Sequence, residues 1–415
     1  MRIAIIGSGI SGLAAGWHLS RKHEVSLFEK EPRLGGHTNT VIVENGGDSI
    51  PVDTGFIVHN DRTYPNLVKL LAELGVETEP SDMSFSVSCR QTGFEYSSRG
   101  VTGFFAQRSN LLRREHYLLF AEILRFNRTA PKLLNRLGAE AATIGDVIDE
   151  GRYHKVFTER YLFPMASAVW SMSIDSIRSF PALTLLRFFL NHGMLGINTH
   201  PKWKVIRGGS HKYIPLLTTP YKERIFLDAR LASVSRQECS VTLNFQGRPA
   251  MDFDQVVFAC HGDQLLPLLE QPTGIEREVL GNFKTSRNVA TLHTDSSLLP
   301  KRDAAKASWN YNLGLNGKTA ASVTYHMNRL QSLKAADDYC VTLNGEDAID
   351  GAKVLRKIVY HHPLYTQEAV HAQNRWSEIS GRNRTHYCGA YWFYGFHEDG
   401  LNSALRVARA LSVEC

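Results

Sequence analysis

The chain opens Met1-Arg-Ile-Ala-Ile-Ile-Gly-Ser-Gly-Ile-Ser-Gly-Leu-Ala-Ala-Gly16 and runs on to Glu29. Arg2 to Ile6 is a short apolar run, a candidate buried strand. Gly7, Gly9 and Gly12 follow in G-x-G-x-x-G spacing. Leu13, Ala14, Ala15 and Leu19 recur at helical spacing, and a second apolar run, Val25 to Phe28, ends at Glu29. Strand, glycine turn, helix, strand and acid therefore stand in the order a dinucleotide-binding βαβ unit requires. Gly7 permits a tight turn, Gly9 lets the backbone approach a pyrophosphate, and Gly12 lets helix and sheet pack closely. The helix N-terminus offers free N–H groups to phosphate, and Glu29 can accept hydrogen bonds from ribose hydroxyls.

The glycine motif alone does not say which dinucleotide. The next residues are Lys30-Glu-Pro-Arg-Leu-Gly-Gly-His-Thr-Asn-Thr40. A Gly35-Gly36-His37 turn just after the acid resembles the FAD fingerprint of the superfamily of flavin-containing amine oxidases, protoporphyrinogen oxidases and phytoene desaturases. Further matches are Val52-Asp-Thr-Gly-Phe-Ile-Val58, Arg62-Thr-Tyr-Pro-Asn-Leu67 and Ser81-Asp-Met-Ser-Phe-Ser-Val87. Together they resemble a bacterial subgroup associated with cyclopropane fatty acid synthases. The resemblance implies an α/β fold, with a Rossmann-like FAD-binding domain interleaved with a mixed α+β substrate domain. It assigns residues 1–60, 203–270 and 384–415 to the first and 61–202 and 271–383 to the second.

Composition sets the outer bounds. At 415 residues two domains are expected, and 43% hydrophobic residues supply a sizeable core. The net charge of +6 is too weak and spread to argue for nucleic acid. It fits an anionic small molecule or a membrane surface. Cys89, Cys239, Cys260, Cys340, Cys388 and Cys415 are far apart, with no C-x-x-C, so no zinc or iron–sulfur site is expected. They read mostly as buried thiols of a reducing compartment. The nucleotide strand needs the first residues for itself, which leaves no signal peptide, and the longest apolar stretch, near Leu162 to Met172, contains Pro164 and is too short to span a bilayer. The chain reads as cytoplasmic.

Periodicity predicts a helix over Tyr64 to Leu74 closed by Gly75, and a helix over Leu111 to Leu137 that Pro131 kinks or splits. The latter carries Arg113, Arg114, Arg125, Arg128, Lys132 and Arg136, either a solvated face or a basic surface for anionic lipid. Thr143 caps another helix, and Pro181 opens one through Leu190. Ile225 to Leu227, Leu231 to Ser235 and Val241 to Phe245 read as a meander. Val289 to His293, Ser322 to His326 and Tyr339 to Leu343 read as strands of a substrate-domain sheet.

The C-terminal run Tyr387-Cys-Gly-Ala-Tyr-Trp-Phe-Tyr-Gly-Phe-His-Glu-Asp-Gly-Leu401 leads into a last helix. In the superfamily a strand ends here at a glycine, and the helix points its N-terminus at the flavin. The resemblance carries non-covalent FAD contacts onto Gly7, Gly9, Ser11, Gly12, Glu29, Lys30, Gly36, His37, Thr38, Gly55, Val234, Gly389, Asp399, Gly400 and Leu401. Phe396 and His397 stand where amine oxidases place an aromatic cage residue. His397 is then a candidate base or flavin partner, and the missing tyrosine argues against amine oxidation. No catalytic triad, paired-acid motif or metal cluster is apparent.

Three functions stay open: an FAD oxidoreductase acting on a fatty acyl or other apolar substrate, a redox-neutral flavin isomerase or mutase, and a flavin-bearing partner of a cyclopropane-synthase-like enzyme. The first admits peripheral membrane contact, and a soluble amine oxidase is its fallback.

Overall fold

The computed structural model describes residues 1–137, 142–196, 201–314 and 322–413; Cys415 lies outside them. The opening residues form the strand Arg2–Ile6, buried from Ile3 on. It sits at the centre of a five-stranded parallel sheet ordered Ile225–Phe226, Glu24–Phe28, Arg2–Ile6, Gln255–Phe258, Thr385–Tyr387. Apolar runs without alternation fit strands covered on both faces. The helix Ile10–Leu19 covers one face beside the C-terminal helix His397–Ala410. Ile225–Phe226 is thus a strand of this sheet, and the expected meander is completed instead by Met251–Phe253, paired to Val241–Phe245.

A second sheet of seven strands runs in the order Val354–Leu364, Lys284–His293, Cys340–Leu343, Val323–His326, Trp309–Leu313, Phe85–Cys89, Phe94–Ser97. All neighbours are antiparallel except Trp309–Leu313 with Phe85–Cys89. The eleven-residue strand Val354–Leu364 was not legible, because its charged and histidine-rich sequence hides the period-two pattern.

Helices Arg114–Leu137, Ile144–Gly151, Phe163–Trp170 and Ala182–Asn191 form a third core around Phe126, Phe157, Phe180 and Phe189. Thr143 caps Ile144–Gly151 through a reciprocal capping box with Asp146. The long helix runs unbroken through Pro131. Proline removes one backbone donor, but Pro131 is exposed, while Phe126, Ala130 and Leu137 bury the opposite side. The Thr129 hydroxyl serves the Arg125 and Phe126 carbonyls one turn earlier. Its start also differs: Arg108–Leu112 is a separate 3-10 turn.

The core under the parallel sheet includes Leu67, Leu70, Leu71, Val279, Phe283, Ala369, Trp376 and Ile379. Parts of the segments 61–202 and 271–383 thus pack with the nucleotide sheet. Among the described residues no helix is long and apolar enough to cross a membrane.

Candidate functional site

One cavity of about 2170 Å³ extends from the glycine loop to the seven-stranded sheet and helical core. Ligand pockets commonly measure about 300–1,000 Å³, so this one has room for a dinucleotide and a second long molecule.

The sequence explains its first half. Gly7 has φ +102°, a region that L side chains rarely adopt, and turns the first strand into the helix. A Cβ on Gly12 would lie 1.9 Å from the Gly7 carbonyl oxygen, so Gly12 sets the helix–strand approach. A Cβ on Gly9 would meet nothing within 4 Å, since Gly9 faces the open cavity at the helix N-terminus. Glu29 is locked to this loop: its Oε2 accepts from the Ser8 N–H at 2.8 Å and the Ser8 hydroxyl at 2.6 Å. Its Oε1 accepts from the Glu31 N–H at 3.0 Å. The Gly35 N–H donates to the Ser8 carbonyl at 3.0 Å, which draws the second glycine pair over the first loop.

Of the expected cofactor residues, Gly7, Gly9, Ser11, Glu29, Lys30, Gly36, His37, Gly55 and Gly389 line the cavity, as do Phe396 and His397. Gly12, Thr38, Val234, Asp399, Gly400 and Leu401 do not. Val234 is fully buried and paired with Leu243 and Leu269; Ala229 and Leu231 provide the lining there. The last helix begins at His397 with Phe396 as its cap, two residues before the expected start. The Gly400 N–H is spent on the Phe396 carbonyl, and a Cβ on Gly400 would strike Ile10 and Ser11. Gly400 and Leu401 therefore pack the two helices together. Asp399 accepts from the Phe396 N–H at 2.9 Å, and burial pushes its carboxyl up to about 7.

His397 is not a free base. Its Nε2 lies 2.9 Å from Thr38 Oγ1 and 3.1 Å from the Tyr213 hydroxyl, and its ring stacks on Phe56 at 3.6 Å. The Thr38 and Tyr213 hydroxyls bond each other as well. Burial, with His59 nearby, lowers its pKa to about 3. The neighbouring Glu398 caps another helix, accepting from the Asn66 N–H at 3.0 Å and the Leu67 N–H at 2.9 Å. Both residues tie segments more than 300 positions apart, a role that local sequence cannot reveal.

The reading of motifs missed a histidine cluster beside the glycine loops. His37 stacks on Tyr360 at 4.8 Å and lies 5.3 Å from His362 and 5.7 Å from His261. Burial holds all three imidazoles below the usual range, His362 at about 4. His37 Nε2 is buried without a hydrogen-bond partner. An uncharged imidazole with an unmet polar nitrogen suits an anion brought alongside Gly9, which would raise its pKa. The open space at Gly9, the aligned Glu29 and this nitrogen fit a dinucleotide. Among the described residues no group of three or more His, Cys, Asp or Glu could hold a metal ion. Cys340 and Cys388 are buried free thiols, and burial pushes the Cys260 thiol up to about 12.

The second half of the cavity differs in chemistry. Among the described residues none that lines it between Val58 and Trp203 is Asp, Glu, Lys or Arg; the charged lining side chains among them are Glu29, Lys30, Glu31, Arg33, Asp263, Arg356 and Lys357. The uncharged wall comprises Met83, Phe104, Phe105, Phe120, Ile123, Tyr161, Met165, Val169, Trp170 and Phe188, among others. Phe396 stacks on Phe188 with ring centres 5.0 Å apart, so these two rings close on each other and leave no slot between them. His192 stacks on Phe188 with ring centres 3.8 Å apart and lies 6.0 Å from Phe396; its Nδ1 is 2.9 Å from the Phe188 carbonyl oxygen. That oxygen can only accept, so the proton sits on Nδ1 and Nε2 keeps its lone pair. Burial lowers His192 to about 4.

The sequence model of one protein family, flavin containing amine oxidoreductase, matches residues 10–329. A curated carotenoid phi-ring synthase of Chlorobaculum tepidum is 33% identical over 79 residues, a match spanning 19% of this chain and 12% of that protein. The chain thus spans a small part of that relative's length. Among solved structures, a putrescine oxidase triple mutant superposes with TM-score 0.71 at 14% identity, covering 99% of this chain and 98% of that one. A CLA-producing fatty acid isomerase from P. acnes superposes with TM-score 0.73 at 13% identity, covering 99% of both. At such identities the likeness is one of fold.

Proposed function

The chain belongs to the flavin containing amine oxidoreductase family and is an FAD-dependent oxidoreductase, and on that premise we propose that it dehydrogenates the acyl chain of a lipid rather than an amine. The observation that carries this reading is the wall between Val58 and Trp203, which among the described residues offers an alkylammonium group no carboxylate and an alkyl chain a long apolar surface. The contact of Phe396 with Phe188 points the same way, because an amine cage needs two facing rings held apart.

When bound, FAD would supply the oxidation as the acceptor of a hydride from one substrate carbon. The glycine loop, Glu29 and the N-terminus of the last helix hold and orient the dinucleotide. The apolar wall excludes water and fixes the chain for C–H cleavage, where positioning supplies most of the acceleration. The neighbouring carbon loses a proton, for which His192 Nε2 is the acceptor, and a carbon–carbon double bond forms. The electrons pass finally to an external acceptor, dioxygen in the assay.

The resemblance to a subgroup associated with cyclopropane fatty acid synthases, which add one carbon to an acyl chain, supports a reaction beside a methyl or methylene branch. The enzyme class that supplies the substrate is then one that adds a single carbon to an acyl double bond, and such a synthase is the expected partner. Mass spectrometry of a branched-chain phospholipid incubated with the holoprotein in air tests the reading. Loss of two hydrogens per chain is expected; an unchanged mass with a shifted double bond would instead identify a redox-neutral isomerase.

A further inference from the structure

One place where the cavity reaches solvent is marked by Val101, Tyr117 and Phe120, which are both lining and exposed. Beside them the 3-10 turn Arg108–Leu112 presents Leu111 and Leu112, the latter 93% exposed. The Tyr117 hydroxyl donates to the Leu111 carbonyl at 2.9 Å, which joins this turn to the cavity mouth. Three exposed arginines flank the leucines: Arg108, Arg113 and Arg114. None has an ion-pair or side-chain hydrogen-bond partner among the described residues. Farther along, in the helix Arg114–Leu137, two of the basic residues are paired. Arg125 pairs with Glu122 and lies over Tyr153, and Arg136 pairs with Glu150.

We propose that the cavity mouth, with Leu111 and Leu112 as apolar anchors and Arg108, Arg113 and Arg114 as cationic rim, docks on an anionic lipid bilayer. The proposal rests on the acyl-chain reading and adds where the chain comes from. Protruding apolar side chains within a ring of unpaired cations match the layered chemistry of a bilayer surface, with phosphates outside and acyl chains beneath. A second copy of this chain is the poorer partner, because a two-fold contact through this face would set the arginines against their own copies. An esterified chain leaves its headgroup outside, at the arginines.

The test is flotation of the FAD-loaded protein with vesicles of phosphatidylglycerol and, separately, of phosphatidylcholine. The wild type should float with the anionic vesicles, less with the neutral ones, and less in high salt. Arg108→Gln/Arg113→Gln/Arg114→Gln should weaken anionic partitioning about a hundredfold, at roughly fivefold per arginine. Leu111→Glu/Leu112→Glu should abolish flotation with an unchanged melting temperature, since both side chains are exposed. Wild-type protein that stays with the buffer, variants that float like it, or leucine variants that only dissociate a dimer would each overturn the docking. Flavin reduction by a phospholipid with methyl-branched acyl chains, presented in detergent, separates the two claims. Reduction without vesicle binding overturns the docking alone, and vesicle binding without reduction overturns the acyl-chain reading alone.

Discussion

His397 Nε2 and Thr38 Oγ1 lie 2.9 Å apart, so the first residue of the last helix is tied to the turn that follows the second glycine pair. This tie holds the helix N-terminus at the cavity wall and occupies the nitrogen that a base would use. His397→Gln should therefore lower FAD affinity and stability by about 1–3 kcal/mol, the usual range for a lost buried hydrogen bond. With saturating FAD, the rate of flavin reduction should fall less than about tenfold. A loss of about a hundredfold or more at full FAD loading would mark a proton-transferring group instead.

His192 carries the opposite expectation. Its Nδ1 is committed to the Phe188 carbonyl, which leaves Nε2 as lone-pair nitrogen in the apolar half of the cavity. His192→Phe should leave the flavin spectrum and FAD affinity in place and slow reduction by about a hundredfold or more. Stopped-flow traces give the rate, and a wild-type rate would remove His192 from the reaction.

Gly9 and Gly12 should separate binding from folding. Gly9→Ala places its Cβ in open cavity, so the protein should fold with a near-native melting temperature and lose FAD affinity. Gly12→Ala places its Cβ 1.9 Å from a backbone oxygen, and the cost of several kcal/mol should show as insoluble or molten protein. Glu29→Gln lies between them. It should weaken FAD by about 1–3 kcal/mol and, because Ser8 and Glu31 also bond this carboxylate, lower the apoprotein's melting temperature.

How much of this was legible follows from the range of the interactions. Gly7, Gly9, Gly12 and Glu29 sit within one βαβ unit, where local spacing fixes local geometry, and Glu29 bonds Ser8 in the turn between the first strand and the helix that holds Gly12. Gly36 and His37 were found because they follow the acid directly. The start of the last helix was misplaced because Asp399 resembles a cap, whereas it sits one turn inside and its carboxyl reaches back to the Phe396 N–H. His192, Tyr360 and His362 meet the site only through tertiary packing, and no spacing announces them. The pairing of two arginines of the basic helix was hidden in part for the same reason: Glu122 meets Arg125 across one turn, but Glu150 reaches Arg136 from the next helix.

Stability should fall on acidification. Burial lowers His18, His59, His192, His293, His362 and His386 to about 4, and His397 to about 3. Each takes up its proton more readily unfolded, near pH 6.5, than folded, so stability present above pH 6.5 is lost as the pH falls through about 4. Asp53, raised to about 6, and Asp399, raised to about 7, act in the opposite sense. Their stabilisation is full at low pH and is lost as the pH rises through those values. Seven histidines against these two carboxyls predict a melting temperature that drops between pH 6.5 and 4. A flat profile across that interval would mean that these imidazoles are solvated in the folded protein.

The most direct measurement is anaerobic mixing of the FAD-loaded protein with candidate reductants while the flavin absorbance is followed. A phospholipid with a methyl-branched acyl chain should bleach the flavin, and putrescine and other alkylamines should leave it oxidised. Bleaching by an amine, with the lipid inert, would contradict the acyl-chain assignment.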